Sequence, residues 1–344
     1  MQAAYLIKKG KAEKSFEWRE VEKPKVNDKD VLIKVSAFGL NYADVMARLG
    51  LYPDMPSMPC VLGYDVCGVV EEVGSGISKF AKGDYVVALT RFGGYADYSI
   101  TDERACIKID PQIPAYKQLA MATQLSTAYC AAIESINLRE GDTILVHAAA
   151  GGVGLGIVQL ALWKKCNIIA IAGSDEKLSF LKSLGVPHTI NYKTEDIYQK
   201  IRDFGFYRKI DFIFDSVAGG RNIKQGFKAL ISGGKYVIFG VSMLSGPKNI
   251  FALIPELLNF ATTLFSPAKF LMPSKSMIGI NMLAIADNKP EVVERCMQEV
   301  YKLYQQGVFS HIQGANYEKS QLVQAHQLLE DGKTIGKLAI TLTE

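Results

Sequence analysis

The sequence predicts an α/β protein, a doubly wound parallel sheet of six strands joined to a second, mostly β domain. Two observations carry this. From residue 143 onward, short apolar runs alternate with segments of helical period, as strands linked by crossover helices do in a sheet buried on both faces. Before residue 110, short strand signals are separated by turn residues. A chain of 344 residues is long enough for two cores.

In chain order, VLIKVSAFGL (31–40), CGVVEEVG (67–74) and DYVVALT (84–90) read as strands of the β-rich domain. Residues 117–137 read as a helix, with small and apolar residues spaced by three and four. The six strand candidates of the parallel sheet are TILVHA (143–148), IIAIAG (168–173), HTINY (188–192), DFIFDSV (211–217), KYVIFG (235–240) and MIGINM (277–282). GIVQLALWKK, EKLSFLKSLG and TEDIYQKIRDF supply helices between them, through right-handed crossovers. A long helix, PEVVERCMQEVYKLYQQG (290–307), precedes a last strand, KLAITL (337–342), expected to return to the first domain. The expected division is 1–122 with 310–344 for the β-rich domain and 123–309 for the parallel sheet.

Lys and Arg number 39 against 35 Asp and Glu, a dispersed excess of +4 with no basic run, which argues against nucleic acid. Cys60, Cys67, Cys106, Cys130, Cys166 and Cys296 form no CxxC pair and read as reduced, buried thiols. The most apolar stretch, NIFALIPELLNFATTLF (249–265), is interrupted by Pro255, Glu256 and Asn259. It reads as a buried or interface helix in preference to membrane contact. With no signal-peptide pattern at the N-terminus, a cytoplasmic location is expected.

The turn after the first parallel strand reads Ala149-x-Gly151-x-x-Gly154, a dinucleotide fingerprint with Ala for its first glycine. Gly151 removes a Cβ that would collide with a pyrophosphate, Gly154 allows close helix packing, and the N–H groups of Ala150, Gly151, Gly152 and Val153 lie where the helix begins. The preceding strand and following helix make this a Rossmann unit. An NAD-binding acid would end the second strand. Gly173 and Ser174 stand there instead, followed by Lys177, with Tyr192 closing the third strand. A small polar residue, a cation and a phenol suit a 2′-phosphate, hence NADPH. Asp175 has two readings, a late ribose-binding acid or the cap of the next helix, and the cap is preferred. Ser216, with Asp215 and Gly219, follows the fourth strand, and Phe239, Gly240 and Val241 follow the fifth, at carboxyl ends where parallel sheets bind ligands.

GLNYAD (39–44), GYDVCGVVEEVG (63–74), GD (83–84), STAY (126–129) and GDTILVHAAAGGVG (141–154), in this order, resemble the medium-chain dehydrogenase/reductase superfamily. Within it they resemble the zinc-free quinone oxidoreductase branch, and FGVSMLSGPKNIF (239–251) with DGKTIGKLAI is most similar to the vesicle amine transport protein subgroup. The resemblance implies a GroES-like catalytic domain beside the Rossmann domain, NADPH as cofactor and a homodimer, which would join the apolar edge strand MIGINM to its copy. Zinc-dependent members carry Cys-His where Asn41-Tyr42 stands, His-Glu where Tyr64-Asp65 stands, and a third Cys near Thr123; of the structural zinc cysteines only Cys106 falls in that region. No metal is expected.

Without a Lewis acid, a substrate carbonyl must be polarised by hydrogen bonds, which favours quinones or α,β-unsaturated carbonyls. The resemblance places Asn41 beside nicotinamide and substrate, Tyr52 in the pocket wall, Thr127 at the nicotinamide and Lys337 near the cofactor. Plainer readings stand beside these: Asn41 as a helix cap, Tyr52 as a rim aromatic, Lys337 as a surface lysine. Met46 stands where some quinone reductases carry a second pocket tyrosine, which leaves the proton donor open. His147, His188, His311 and His326 sit in turns, a loop and a helix, with no nucleophile at an informative spacing. The competing function is a nucleotide-gated, lipid- or membrane-associated binding protein with little turnover, favoured by Met46 and the apolar 249–272 stretch.

Overall fold

The structure is a computed structural model and describes residues 1–244 and 267–342. The chain forms two compact units, 1–126 with 282–344 and 127–281.

In the first unit, one sheet runs in the order Gly314–Glu318, Lys337–Thr341, Asp30–Leu40, Asp65–Val73, Tyr85–Leu89 and Cys106–Lys108, with Tyr98–Asp102 also pairing with Asp30–Leu40. A smaller sheet joins Phe16–Glu20, Gln2–Leu6 and Cys60–Val61. Ile33, Phe38, Leu40, Val66, Val86, Tyr95 and Ile340 are buried in one core. The last strand does return to this unit, antiparallel to Asp30–Leu40, with Leu338 opposite Leu40 and Ala339 opposite Gly39. On the other side Phe38 lies opposite Val66. These two registers bring Lys337, Asn41 and Asp65 to one end of the sheet.

The helix Pro290–Gln305 lies in the first unit, so the division falls at 281/282 where 309 was expected. Its buried stripe, Val293, Cys296, Met297, Val300 and Leu303, covers the 103–108 segment, and Glu294 pairs with Lys79 at 2.6 Å. An amphipathic helix buries its stripe against whichever apolar surface it meets, and here that surface is the β-rich unit.

The second unit holds six parallel strands: Thr143–Val146, Asn167–Ala172, His188–Asn191, Ile210–Asp215, Leu230–Ile238 and Ser276–Gly279. They stand in the order third, second, first, fourth, fifth, sixth, the doubly wound order with its reversal beside the first strand. The first strand is buried throughout, and the helix Gly152–Trp163 after it is apolar on nearly every face, as a central crossover must be. That strand stops two residues short of expectation because Ala148 takes a φ of +49°, which no strand continues. The chain is helical from Ala115 to Glu134, with wider π-type turns at Met121–Leu125 and Cys130–Glu134. Among the described residues no helix is long and apolar enough to cross a membrane, and the 249–265 stretch lies outside them.

Candidate functional site

In the second unit the turn Ala148–Gly151 leads into the helix Gly152–Trp163. Gly151 is its N-cap, and the first turn holds no acidic side chain to neutralise the helix's positive end. The two glycines differ in what surrounds them. A Cβ on Gly154 would lie 2.4 Å from the Ala148 carbonyl oxygen and 2.9 Å from Ala149 Cα, so here the helix presses on the turn. A Cβ on Gly151 would meet only the Ala148 oxygen, at 3.2 Å, and otherwise points into open space. The Gly151 N–H donates to the Ala148 carbonyl at 2.9 Å, so it is the N–H groups of Gly152, Val153 and Gly154 that coincide there with a dipole end and space for a phosphate.

After the second strand, Ser174 caps the helix Asp175–Ser183, its hydroxyl accepting the Lys177 N–H. Asp175 is therefore not the cap. It occupies the first turn, where its carboxylate accepts an N–H of the Asn191 side chain at 2.9 Å. The Tyr192 ring lies over Gly173, where a Cβ would come within 2.7 Å of it. Lys177 is half-buried, and burial together with the neighbouring Lys193 charge lowers its pKa. An anion bound beside the two ammonium groups would relieve that repulsion. Lys193 was not singled out in the sequence; its place beside Tyr192 was the available signal.

The loops after the fourth and fifth strands meet. The Phe239 N–H donates to the Asp215 carbonyl at 3.0 Å, and a Cβ on Gly240 would lie 2.9 Å from the Ser216 carbonyl oxygen. Buried Asp215 fixes this corner: its carboxylate accepts the Val217 N–H at 2.7 Å and the Tyr236 hydroxyl at 2.6 Å. Val241 is exposed at the end of the same loop.

In the first unit, Asn41 is the N-cap residue of Tyr42–Arg48, but its side-chain amide reaches across the sheet end. Its Nδ2 donates to Asp65, and its Oδ1 accepts from the Lys337 ammonium at 2.8 Å. Lys337 also pairs with Asp65 at 2.6 Å, and both are fully buried, so Lys337 is not a surface lysine. Burial lowers the Lys337 pKa while Asp65 opposes that shift. Beneath lies a second buried carboxylate, Asp44, which accepts the N–H groups of Asn41 at 2.8 Å and Gly63 at 3.1 Å. Burial pushes its pKa up to about 7 against those two hydrogen bonds. Asp44 was missed as a functional candidate although Asn41-x-x-Asp44 has the capping-box spacing. Tyr52 follows the helix in a loop, its ring centroid 6.0 Å from Tyr64 and 6.4 Å from Phe92, and burial raises its pKa. Met46 is buried in Tyr42–Arg48, and Thr127, the first residue of the second unit, is buried in the helical segment Ser126–Tyr129.

A family model described as zinc-binding dehydrogenase matches residues 152–299, and one described as alcohol dehydrogenase GroES-like domain matches 27–111. The synaptic vesicle membrane protein VAT-1 homolog of Rattus norvegicus is 31% identical over 314 residues, covering 90% of this chain and 76% of the relative. The chain belongs to the medium-chain dehydrogenase/reductase superfamily, among the VAT-1 homologues. The VAT-1 homolog of Danio rerio is 30% identical over 93% of this chain, which spans 65% of that protein's length. Quinone oxidoreductase of Homo sapiens is 27% identical over 94% of this chain and 92% of its own. Two solved structures share the superfamily fold at a TM-score of 0.84 and 24% identity. They are the human VAT-1 homolog-like protein, covering 100% of this chain and 98% of its own, and Escherichia coli quinone oxidoreductase complexed with NADPH, covering 99% and 100%.

Although one matching family model is named for zinc, Asn41, Tyr42, Tyr64 and Asp65 occupy the expected ligand positions, and among the described residues no three His, Cys, Asp or Glu side chains gather as a ligand set. The histidines lie apart. His147 is buried at the end of the first parallel strand, and His188 packs on Phe204 and Phe206. His326 is fully buried, with Nε2 3.1 Å from the Tyr95 hydroxyl.

Proposed function

We propose that this chain is an NADPH-dependent, zinc-free reductase of quinones or α,β-unsaturated carbonyls. The observation that carries the cofactor choice is the group around Gly173: Ser174, Lys177, Tyr192 and Lys193, with Asp175 held by Asn191 and no acid where a ribose would be gripped. The N–H groups of Gly152, Val153 and Gly154 would hold the pyrophosphate, with the Gly151 N–H given to the Ala148 carbonyl, and the Ser216 and Phe239–Val241 loops would line the rest of the path. NADPH bound there supplies a hydride. The chain's own task is to orient the acceptor and stabilise the oxygen that gains charge. Asn41 donates an amide N–H to that oxygen, Tyr52 can donate its hydroxyl, and Thr127 holds the nicotinamide end. The NADPH complex of the similar quinone oxidoreductase supports this reading.

The substrate class is tested by NADPH oxidation with an o-quinone and then an enone, with NADH alongside and a chelator present or absent. Chelator-insensitive, NADPH-selective turnover is expected; turnover abolished by the chelator contradicts the zinc-free reading. Among the described residues the edge strand Ser276–Gly279 pairs only with Leu230–Ile238, and we infer a two-fold dimer across it. Light scattering showing a monomer at micromolar concentration would refute that.

A second reading, a lipid-associated binding protein with little turnover, is favoured by Leu271 and Met272, which are 76% and 82% exposed. Cosedimentation with lipid vesicles and no NADPH oxidation would support it over the reductase.

A further inference from the structure

Asn41, Asp65 and Lys337 close a ring of polar contacts at the end of the first unit's sheet. Lys337 and Asp65 have no exposed surface, and Asn41 alone keeps some, at 6%. Stability gives a poor reason for such a pair, because a buried ion pair is often matched or bettered by apolar residues of the same volume. Its geometric effect is specific. An ammonium offers only donors and an ionised carboxylate only acceptors. With Lys337 on Oδ1 and Asp65 on Nδ2, turning the Asn41 carboxamide over would set its N–H groups against the ammonium and its carbonyl against the carboxylate. One N–H of Nδ2 goes to Asp65 and the other is left over. The ammonium on Oδ1 draws electron density from the amide and strengthens that N–H as a donor. Gly39 makes the room: a Cβ there would lie 2.2 Å from Asp65 Oδ2 and 2.4 Å from Lys337 Cε.

We propose that Asp65 and Lys337 are positioning residues, which hold the Asn41 carboxamide in one of its two flip states as a donor to the oxygen that gains charge. This rests on the reductase reading, and it assigns the Lys337 ammonium to Asn41 in place of the cofactor. Asn41 is then the catalytic residue, and the ion pair acts through it.

Two variants test this. Gly39→Ala sets its Cβ against the Asp65 carboxylate and the end of the Lys337 side chain, its three nearest atoms, and so displaces the pair; the double variant Asp65→Asn/Lys337→Met removes both charges together, so neither ion is left unpaired. The readouts are the side-chain NH2 resonances of Asn41 in ¹⁵N-edited NMR without cofactor, the NADPH dissociation constant, and kcat with KM for the quinone. In both variants the Asn41 resonances are expected to move to those of a solvated amide. Expected alongside are a kcat lowered about a hundredfold and an NADPH dissociation constant within about twofold of the wild type. An NADPH dissociation constant that rises by the whole factor lost would make Lys337 a cofactor ligand and overturn the proposal, as would an unchanged kcat or unmoved resonances. If the wild-type protein oxidises no NADPH, the reductase reading fails by itself, and the Asn41 resonances alone decide whether the pair holds the amide.

Discussion

Alanine at position 154 would put a methyl carbon 2.4 Å from the Ala148 carbonyl oxygen and 2.9 Å from Ala149 Cα. Both are backbone atoms, so the cofactor turn must lift off the helix to admit it. The helix gains about 1 kcal/mol of propensity from Gly→Ala, whereas overpacking of this kind costs about 1–3 kcal/mol. Gly154→Ala should therefore destabilise by a net of about 0–2 kcal/mol, lowering Tm by about 2–4 °C per kcal/mol, and weaken NADPH binding as well. Gly151→Ala is the contrast. Its φ of −75° and ψ of 166° suit any residue, and its Cβ meets only one atom, at 3.2 Å. Stability should stay within about 0.5 kcal/mol while the methyl fills phosphate space, with at least about a tenfold loss of NADPH affinity, or ~1.4 kcal/mol. Thermal melts and fluorescence titrations with NADPH read both quantities. A Gly154→Ala protein that melts higher, or a Gly151→Ala protein that binds NADPH normally, refutes the division of labour between the two glycines.

Lys177→Met should raise the NADPH dissociation constant about tenfold or more through loss of a charge-assisted phosphate contact, and leave that for NADH unmoved; parallel titrations check it. Burial, reinforced by the Arg48 charge, lowers the His326 pKa from 6.5 to about 3, so unfolding takes up a proton between those values. Stability from this group is complete above pH 6.5 and is lost toward pH 3, by about 5 kcal/mol at most, from 3.5 pKa units at 1.36 kcal/mol each. His326→Gln should flatten the fall of Tm between pH 6.5 and 4.5, and an unchanged slope would show that His326 does not set it. Tyr236→Phe removes the hydroxyl that donates to Asp215 and leaves that carboxylate oxygen short of a partner, at a cost of about 1–3 kcal/mol in chemical denaturation.

The parallel sheet was legible because strands buried on both faces are continuous apolar runs, and all six are present, although the fifth begins at Leu230 where Lys235 was expected and the sixth ends at Gly279 where Met282 was expected. The capping register was harder. Ser174 and Asp175 are both capping residue types, and only the point where the strand ends decides that Ser174 takes the role. Helical period shows that 290–305 has an apolar face, without showing which sheet it covers. The Asn41–Asp65–Lys337 ring lay furthest from view. It depends on two strand registers that bring together residues 296 positions apart. In the sequence, Asp65 registered only as a missing zinc ligand, although a single acid opening an apolar strand implies a buried partner.

The most direct measurement of the central claim is the initial rate of NADPH oxidation by the full chain with an o-quinone acceptor, with NADH alongside and with and without chelator. Turnover that prefers NADPH and ignores the chelator is the predicted result. Tight NADPH binding with no turnover on the quinone or on an enone would contradict the reductase and leave the nucleotide-gated binding protein as the better reading.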